Sequence, residues 1–242
     1  MTGQTVKIRS RDGSDFDCYL AMPKVDAPVP AVVLASAVHG VDGDICAIAD
    51  QFAAAGFIAA APDLFWRSLP GPLSHDDERA QQRSQPRPDK IKAGEPDLAD
   101  TLAYLRTLAS FNGRAATMGF CYGGPYAIIA PQRLGYAAGI SCHGSRMLDY
   151  VGDIEGVGAP VCIIWGDRDR LAPAEVLDAY RGIAARMPNV ELHIFPGILH
   201  GYMMPGASEA FDRKTRDFSM ARALAILEGL RRSSAPTLRQ AS

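Results

Sequence analysis

The sequence predicts an α/β protein: a mostly parallel sheet covered by helices on both faces, with an antiparallel hairpin at its start. Three observations carry this expectation. Uninterrupted apolar runs recur at residues 31–35, 57–61, 115–119, 137–141, 161–165 and, more mixed, 190–195. Short runs without alternation suit strands buried on both faces. Between them, at 45–55, 97–108, 125–134, 174–186 and 208–230, apolar residues fall three and four apart, as in helices with one buried face. Residues 5–9 and 15–22 instead alternate polar and apolar around Asp12-Gly13, the signature of an exposed hairpin with a tight turn. Strand following helix in this order specifies a parallel sheet with helical layers above and below.

The 242 residues suffice for one such domain, expected over residues 1–232, with a small, polar and flexible tail at 233–242. One stretch breaks the rhythm. Residues 66–96 hold five prolines and the charged run Asp76-Asp77-Glu78-Arg79, so they cannot form a strand and are at most partly helical. An excursion of that length reads as a lid-like or binding segment. With 25 Lys+Arg against 27 Asp+Glu, the net charge of −2 gives no footprint for nucleic acid or an anionic membrane. The run 31–38 is far shorter than the roughly 20 residues of a membrane span, and the N-terminus lacks a signal peptide's apolar stretch. A cytoplasmic protein is expected. Its five cysteines (Cys18, Cys46, Cys121, Cys142 and Cys162) are odd in number, widely spread and without a C-x-x-C pair, which suggests neither a disulfide framework nor a zinc site.

One cysteine stands out by its surroundings. Gly119-Phe120-Cys121-Tyr122-Gly123-Gly124 closes an apolar run and opens a helical pattern, giving G-x-C-x-G at a strand-to-helix turn. Such an elbow forces its central residue into a strained conformation and needs glycines around it for room. The helix N-terminus behind it favours a thiolate and offers the Tyr122 N–H to an oxyanion. In this architecture the acid and the histidine follow the nucleophile in chain order. Gly166-Asp167-Arg168-Asp169 follows one strand and Pro196-Gly197-Ile198-Leu199-His200 the next, both at the sheet edge where open α/β sheets bind their ligands.

Taken together, these motifs resemble the dienelactone hydrolase family of α/β-hydrolases over almost the whole chain. The resemblance rests on G-F-C-Y-G-G at 119–124, A-P-D-L at 61–64, D-E-R at 77–79, G-D-R-D-R-L-A-P at 166–173 and G-I-L-H-G at 197–201. It implies the α/β-hydrolase fold and a triad of Cys121 as nucleophile, His200 as base and Asp169 as acid, with Asp167 as the rival carboxylate. It further implies an oxyanion hole from the N–H groups of Tyr122 and Val38. The substrate would be a small ester or lactone, cleaved through a thioester without metal or organic cofactor, by a monomer or homodimer.

Departures from the family pattern bear on specificity. A Glu that hydrogen-bonds the resting thiol is replaced by Ala37, and two arginines that hold a substrate carboxylate are replaced by Gln81 and Met204. With Trp66, Tyr122, Tyr202 and Met203 expected around the pocket, the site reads as apolar, and neutral esters or lactones are expected to be better substrates than dienelactone. Arg79 or Arg83 could swing inward to restore half of the clamp. His39, in the oxyanion loop, and His143, after a strand end, are placed at the same edge and read as structural hydrogen-bonding residues. Cys142 reads as a core residue, and Asp63 as a turn residue supporting its strand end. Two alternative functions use the same thiol: hydrolysis of other activated esters, including aryl phosphate esters, or non-catalytic ligand binding and redox sensing.

Overall fold

A computed structural model describes residues 3–207 and 209–232. The hairpin is β1 (Gln4–Arg9) and β2 (Asp15–Ala21), closed at Gly13, whose φ of 91° only glycine adopts without strain. Six parallel strands follow: β3 (Val29–Ala35), β4 (Ile58–Pro62), β5 (Phe111–Phe120), β6 (Ala138–Cys142), β7 (Val161–Gly166) and β8 (Val190–Phe195). They form one sheet in the order β1-β2-β4-β3-β5-β6-β7-β8, with β2 antiparallel to both of its neighbours. The chain steps from β3 outward to β4, then returns to place β5 on the other side of β3. That reversal opens a crevice beyond the carboxyl ends of β3 and β5.

The apolar runs are continuous because both sheet faces are covered. In β3, Val32 and Leu34 point into one hydrophobic cluster while Ala31, Val33 and Ala35 point into another. The first face is covered by α1 (Gly43–Ala54) and α7 (Arg213–Arg232), the second by α3 (Arg87–Leu105) and α4 (Tyr126–Arg133). A third cluster joins β7 and β8 to α6 (Ala174–Arg186) around Trp165 and Tyr180. No helix among the described residues is long and apolar enough to cross a membrane.

Helix limits differ from expectation where local chemistry overrides spacing. The helix expected from residue 97 begins ten residues earlier, at Arg87. Pro88 lies in its first turn, where the missing N–H has no helical partner, and Pro96 is carried inside it. Asp97 on this helix is fully buried, and Arg67 reaches both of its oxygens at 2.7 Å. The last helix was expected from residue 208 but starts at Arg213, where the Asp212 carboxylate accepts the Thr215 N–H at 2.8 Å. Two short helices, α2 (Arg79–Arg83) and α5 (Val151–Ile154), lie in stretches without a readable period. The tail expected at 233–242 falls outside the described residues.

The crossing from β5 into α4 leaves no space for side chains. A Cβ at Gly119 would run into the Gly123 carbonyl, and one at Gly123 into the Ala35 carbonyl of the neighbouring strand. Backbone atoms cannot swing aside as the end of a flexible side chain can. Gly123→Ala should therefore destabilise the protein by about 2–3 kcal/mol, at the upper end of overpacking costs. The urea midpoint measures it; a value equal to wild type would show that β3 and the turn can spread apart.

Candidate active site

Cys121 is the first residue after β5, in a 3-10 turn that leads into α4, and its φ is +48°. A left-handed conformation at a non-glycine residue is rare and costs about 1–3 kcal/mol. The turn is held by two amides that donate to the Cys121 carbonyl: Gly124 N–H at 3.1 Å and Ser145 N–H at 2.9 Å. The side chain is partly exposed, whereas Cys18, Cys142 and Cys162 are buried.

His200 follows β8 and Asp169 follows β7. Their rings and oxygens meet: His200 Nδ1 lies 2.8 Å from Asp169 Oδ2. The other oxygen, Oδ1, accepts the Leu171 N–H at 2.8 Å, so the carboxylate is oriented from both sides. Asp167, the rival, is exposed and accepts the Gly197 N–H at 2.6 Å; it ties the loop before His200 and does not touch the imidazole. Among the described residues, His200 Nε2 is buried and has no hydrogen-bond partner.

The charges of the site reinforce one another. Burial alone would lower the His200 pKa, but the bonded Asp169 and the neighbouring Cys121 outweigh it and push the value up to about 10. For Cys121, burial raises the thiol's pKa. The neighbouring His200, followed by Arg87 and Ser145, outweighs it, and the net shift is downward. By contrast, burial pushes Cys46 up to about 11 and Cys142 up to about 12, and raises Cys18 and Cys162 strongly.

Several residues expected around the pocket lie elsewhere. Trp66 stacks on Phe16 of the hairpin at 5.8 Å and carries the Arg67 guanidinium over its ring. Tyr202 is fully buried and bonds Ser219 of α7 at 3.0 Å, while Met203 and Met204 lie in the core cluster beneath that helix. Arg79 is exposed and paired with Asp77 at 2.6 Å. Arg83 is buried and does not swing: its guanidinium sits over Phe65 and donates to the carbonyls of Val38, Leu69 and Gly71 at 2.7–2.9 Å. Through Val38 it pins the loop after β3, of which Ala37 and Val38 are also buried. His39 stacks on His75 at 4.2 Å and is pushed down to about 4 by burial, His75 and Arg83. His143, at φ +40°, is buried edge-on against His200 at 4.9 Å and Tyr202 at 5.2 Å. Burial, then the neighbouring His200, holds it well below the ordinary histidine value. Asp63 does close its strand end, accepting the N–H groups of Phe65 at 2.9 Å and Gly71 at 2.7 Å.

A cavity of about 400 Å³ lies beside the elbow. Leu148, Leu171, Pro173 and Val176 supply its apolar wall, with Gln81, Arg87, Ser145 and the ion pair of Arg146 with Asp149 on the polar side. Gln81 is the one residue expected to bind substrate that lines it. Arg87 and Ser145 escaped sequence reading. Pro86-Arg87-Pro88 announces a rigid backbone, but no spacing shows that its side chain reaches the elbow. Two groups of possible metal ligands, Asp42 with Asp44 and His75, and Cys162 with Glu191 and His193, contain none of these residues. Asp42 caps α1, Asp44 accepts the Gly206 N–H and Glu191 pairs with Arg222.

Comparison with known proteins places this geometry. The profile of the dienelactone hydrolase family matches residues 16–229. The chain belongs to the dienelactone hydrolase family. Its sequence is 29% identical to carboxymethylenebutenolidase 1 of Cupriavidus pinatubonensis over 96% of this chain and 99% of that one. It is 24% identical to the carboxymethylenebutenolidase of Pseudomonas putida, covering 86% and 89% of the two chains. Among solved structures it is similar to a dienelactone hydrolase-like promiscuous phosphotriesterase from metagenomic libraries, with a TM-score of 0.79 at 18% identity over 95% of this chain and 99% of the other. The fold of this dienelactone hydrolase family member is accordingly the α/β-hydrolase fold.

Brief iodoacetamide labelling should modify Cys121 first, and its rate should fall less between pH 8 and pH 6 than an ordinary thiol's. An ordinary thiol slows on the order of 100-fold over that range. Peptide mapping at both pH values measures it; faster labelling of partly exposed Cys46 would contradict the charge arrangement.

Proposed function

We propose that the protein hydrolyses ester or lactone bonds through Cys121, His200 and Asp169. The observation that carries this is the 2.8 Å bond from His200 to a buried, doubly anchored Asp169, beside a cysteine held at φ +48°. In this reading the Cys121 sulfur attacks the carbonyl carbon, and the N–H groups of Tyr122 and Val38 receive the oxygen as its charge develops. The intermediate collapses to a thioester as His200 Nε2 gives its proton to the departing alkoxide. Water, deprotonated by the same nitrogen, then releases the acid and returns the proton toward the sulfur. Asp169 holds the ring orientation and balances its charge throughout.

Neutral substrates are proposed over dienelactone. Gln81 presents an uncharged amide to the cavity, Met204 is in the core, and Arg79 and Arg83 are committed to other partners. A carboxylate desolvated there would meet one arginine, Arg87, which already donates to Ser145, in place of the two-arginine clamp that repays its burial.

Turnover of an aryl acetate that vanishes in Cys121→Ala tests the reaction. His200→Ala should slow it by about 10²–10⁴-fold, the usual yield of a positioned base. Asp169→Asn should cost far more kcat than Asp167→Asn, and the reverse ranking would reassign the acid. For specificity, kcat/KM is compared between a neutral aryl acetate and a matched ester bearing a free carboxylate. A strong wild-type preference for the carboxylate would refute the neutral-substrate reading.

A further inference from the structure

Among the described residues the large apolar side chains left exposed are Val25, Leu148, Leu171 and Leu199. Three of them follow consecutive strands at the reacting edge: Leu148 after β6, Leu171 after β7 and Leu199 after β8. Val25, between β2 and β3, lies at the other end of the sheet. An exposed apolar side chain standing singly needs no explanation, but three gathered at one crevice mark a surface that something apolar covers.

Two cavities divide these leucines. Leu148 and Leu171 belong to the cavity of about 400 Å³, where Pro173 and Val176 complete an apolar wall. Two hydrogen bonds tie its lining to the triad residues: Ser145 N–H donates to the Cys121 carbonyl at 2.9 Å, and Leu171 N–H to Asp169 Oδ1 at 2.8 Å. The charges on its polar side are engaged with protein groups. Arg146 pairs with Asp149 at 2.8 Å, and Arg87 donates to Ser145 Oγ at 3.1 Å with its guanidinium over the Tyr122 ring. Leu199 belongs to a second cavity of about 280 Å³, which His200 itself lines together with the exposed side chains of Arg168, Arg170 and Glu209. His200 does not line the larger one.

Chemistry assigns one cavity to each half of an ester. The departing alkoxide takes its proton from His200, so the alcohol half lies on the side that His200 lines, among charged and solvated groups. The acyl half stays on the Cys121 sulfur after the alcohol has gone and lies on the other side, where the apolar wall adjoins the elbow. We propose that the cavity walled by Leu148, Leu171, Pro173 and Val176 is an acyl-binding site, and that the substrates are neutral esters with an apolar acyl chain or ring larger than acetyl and a small or polar alcohol. This rests on the hydrolase reading above and narrows its substrate class. Each methylene moved from water onto the wall raises kcat/KM about fourfold.

Ethyl hexanoate and hexyl acetate are isomers that carry the same apolar chain on opposite halves of the ester, so comparing them isolates the half that the protein binds. Wild type should hydrolyse ethyl hexanoate with a kcat/KM about tenfold or more above that of hexyl acetate. The ratio should fall several-fold in Leu148→Ser and in Leu171→Ser, which replace exposed side chains and leave the core packed, and should be kept in Val25→Ser. Equal values for the two isomers or a preference for hexyl acetate overturn the assignment, as does a ratio that survives in both leucine variants or falls equally in Val25→Ser. A second measurement needs no turnover. Hexanamide, a neutral analogue of the acyl half, should protect Cys121 from iodoacetamide at lower concentration than acetamide does, and its half-protecting concentration should rise several-fold in Leu148→Ser. An absence of any ester hydrolysis refutes the proposed reaction, and protection then decides the cavity by itself: no advantage of hexanamide over acetamide, or an advantage unchanged in Leu148→Ser, overturns the acyl site.

Discussion

The left-handed turn at Cys121 is the constraint on which the rest of the site depends. A strand packed from both sides must hand over to a helix within five residues, and the sulfur is brought out at the crevice only if the backbone takes a conformation that cysteine resists. The surroundings over-determine it. Gly119 and Gly123 remove the side chains that would collide with neighbouring backbone, and two amides hold the Cys121 carbonyl. The loops after β6, β7 and β8 then only need to end at the same edge for Ser145 to bond the Cys121 carbonyl and for Asp169 to meet His200. Parallel register delivers them there, since consecutive strands finish side by side.

Electrostatically the site turns on one buried pair, His200 Nδ1 and Asp169 Oδ2 at 2.8 Å. The carboxylate is oriented by the Leu171 N–H and offsets the desolvation that would otherwise hold the imidazole's pKa down. His143 shows the complementary case. Packed edge-on against His200 with no anion beside it, it is kept neutral and serves as a wall.

How much of this the sequence discloses follows from what each signal measures. The six buried strands were legible because runs such as 31–35 and 161–165 have no polar residue to mark a solvent face, and that is the physical consequence of helices on both sides. The start of α3 was not, because prolines at 86, 88 and 96 look like breakers, while the first turn of a helix tolerates them and tertiary packing carries the third. The placement of Cys121, Asp169 and His200 after β5, β7 and β8 was legible from the apolar runs that precede them. The pocket residues were not: Trp66, Tyr202 and Met204 are large and near the motifs in sequence, yet they are absorbed by the hairpin and the α7 core. Arg87 reads as one more charge in a polar segment, because burial of a single arginine depends on contacts 58 residues away at Ser145.

The grip of Arg83 has an implication for how this chain tolerates change. One guanidinium fastens carbonyls at 38, 69 and 71, and Asp63 clasps the amide of residue 71 from the other side. Chain length is thereby fixed between 63 and 71 and again from 83 onward, whereas residues 72–78 span two anchors and carry mostly exposed side chains. A longer span closed between fixed points loses only about 0.6 kcal/mol for each doubling of its length. Insertions, a grafted peptide or a fused reporter belong at 76–78, beyond Leu73 and His75, which still bond and stack on His39.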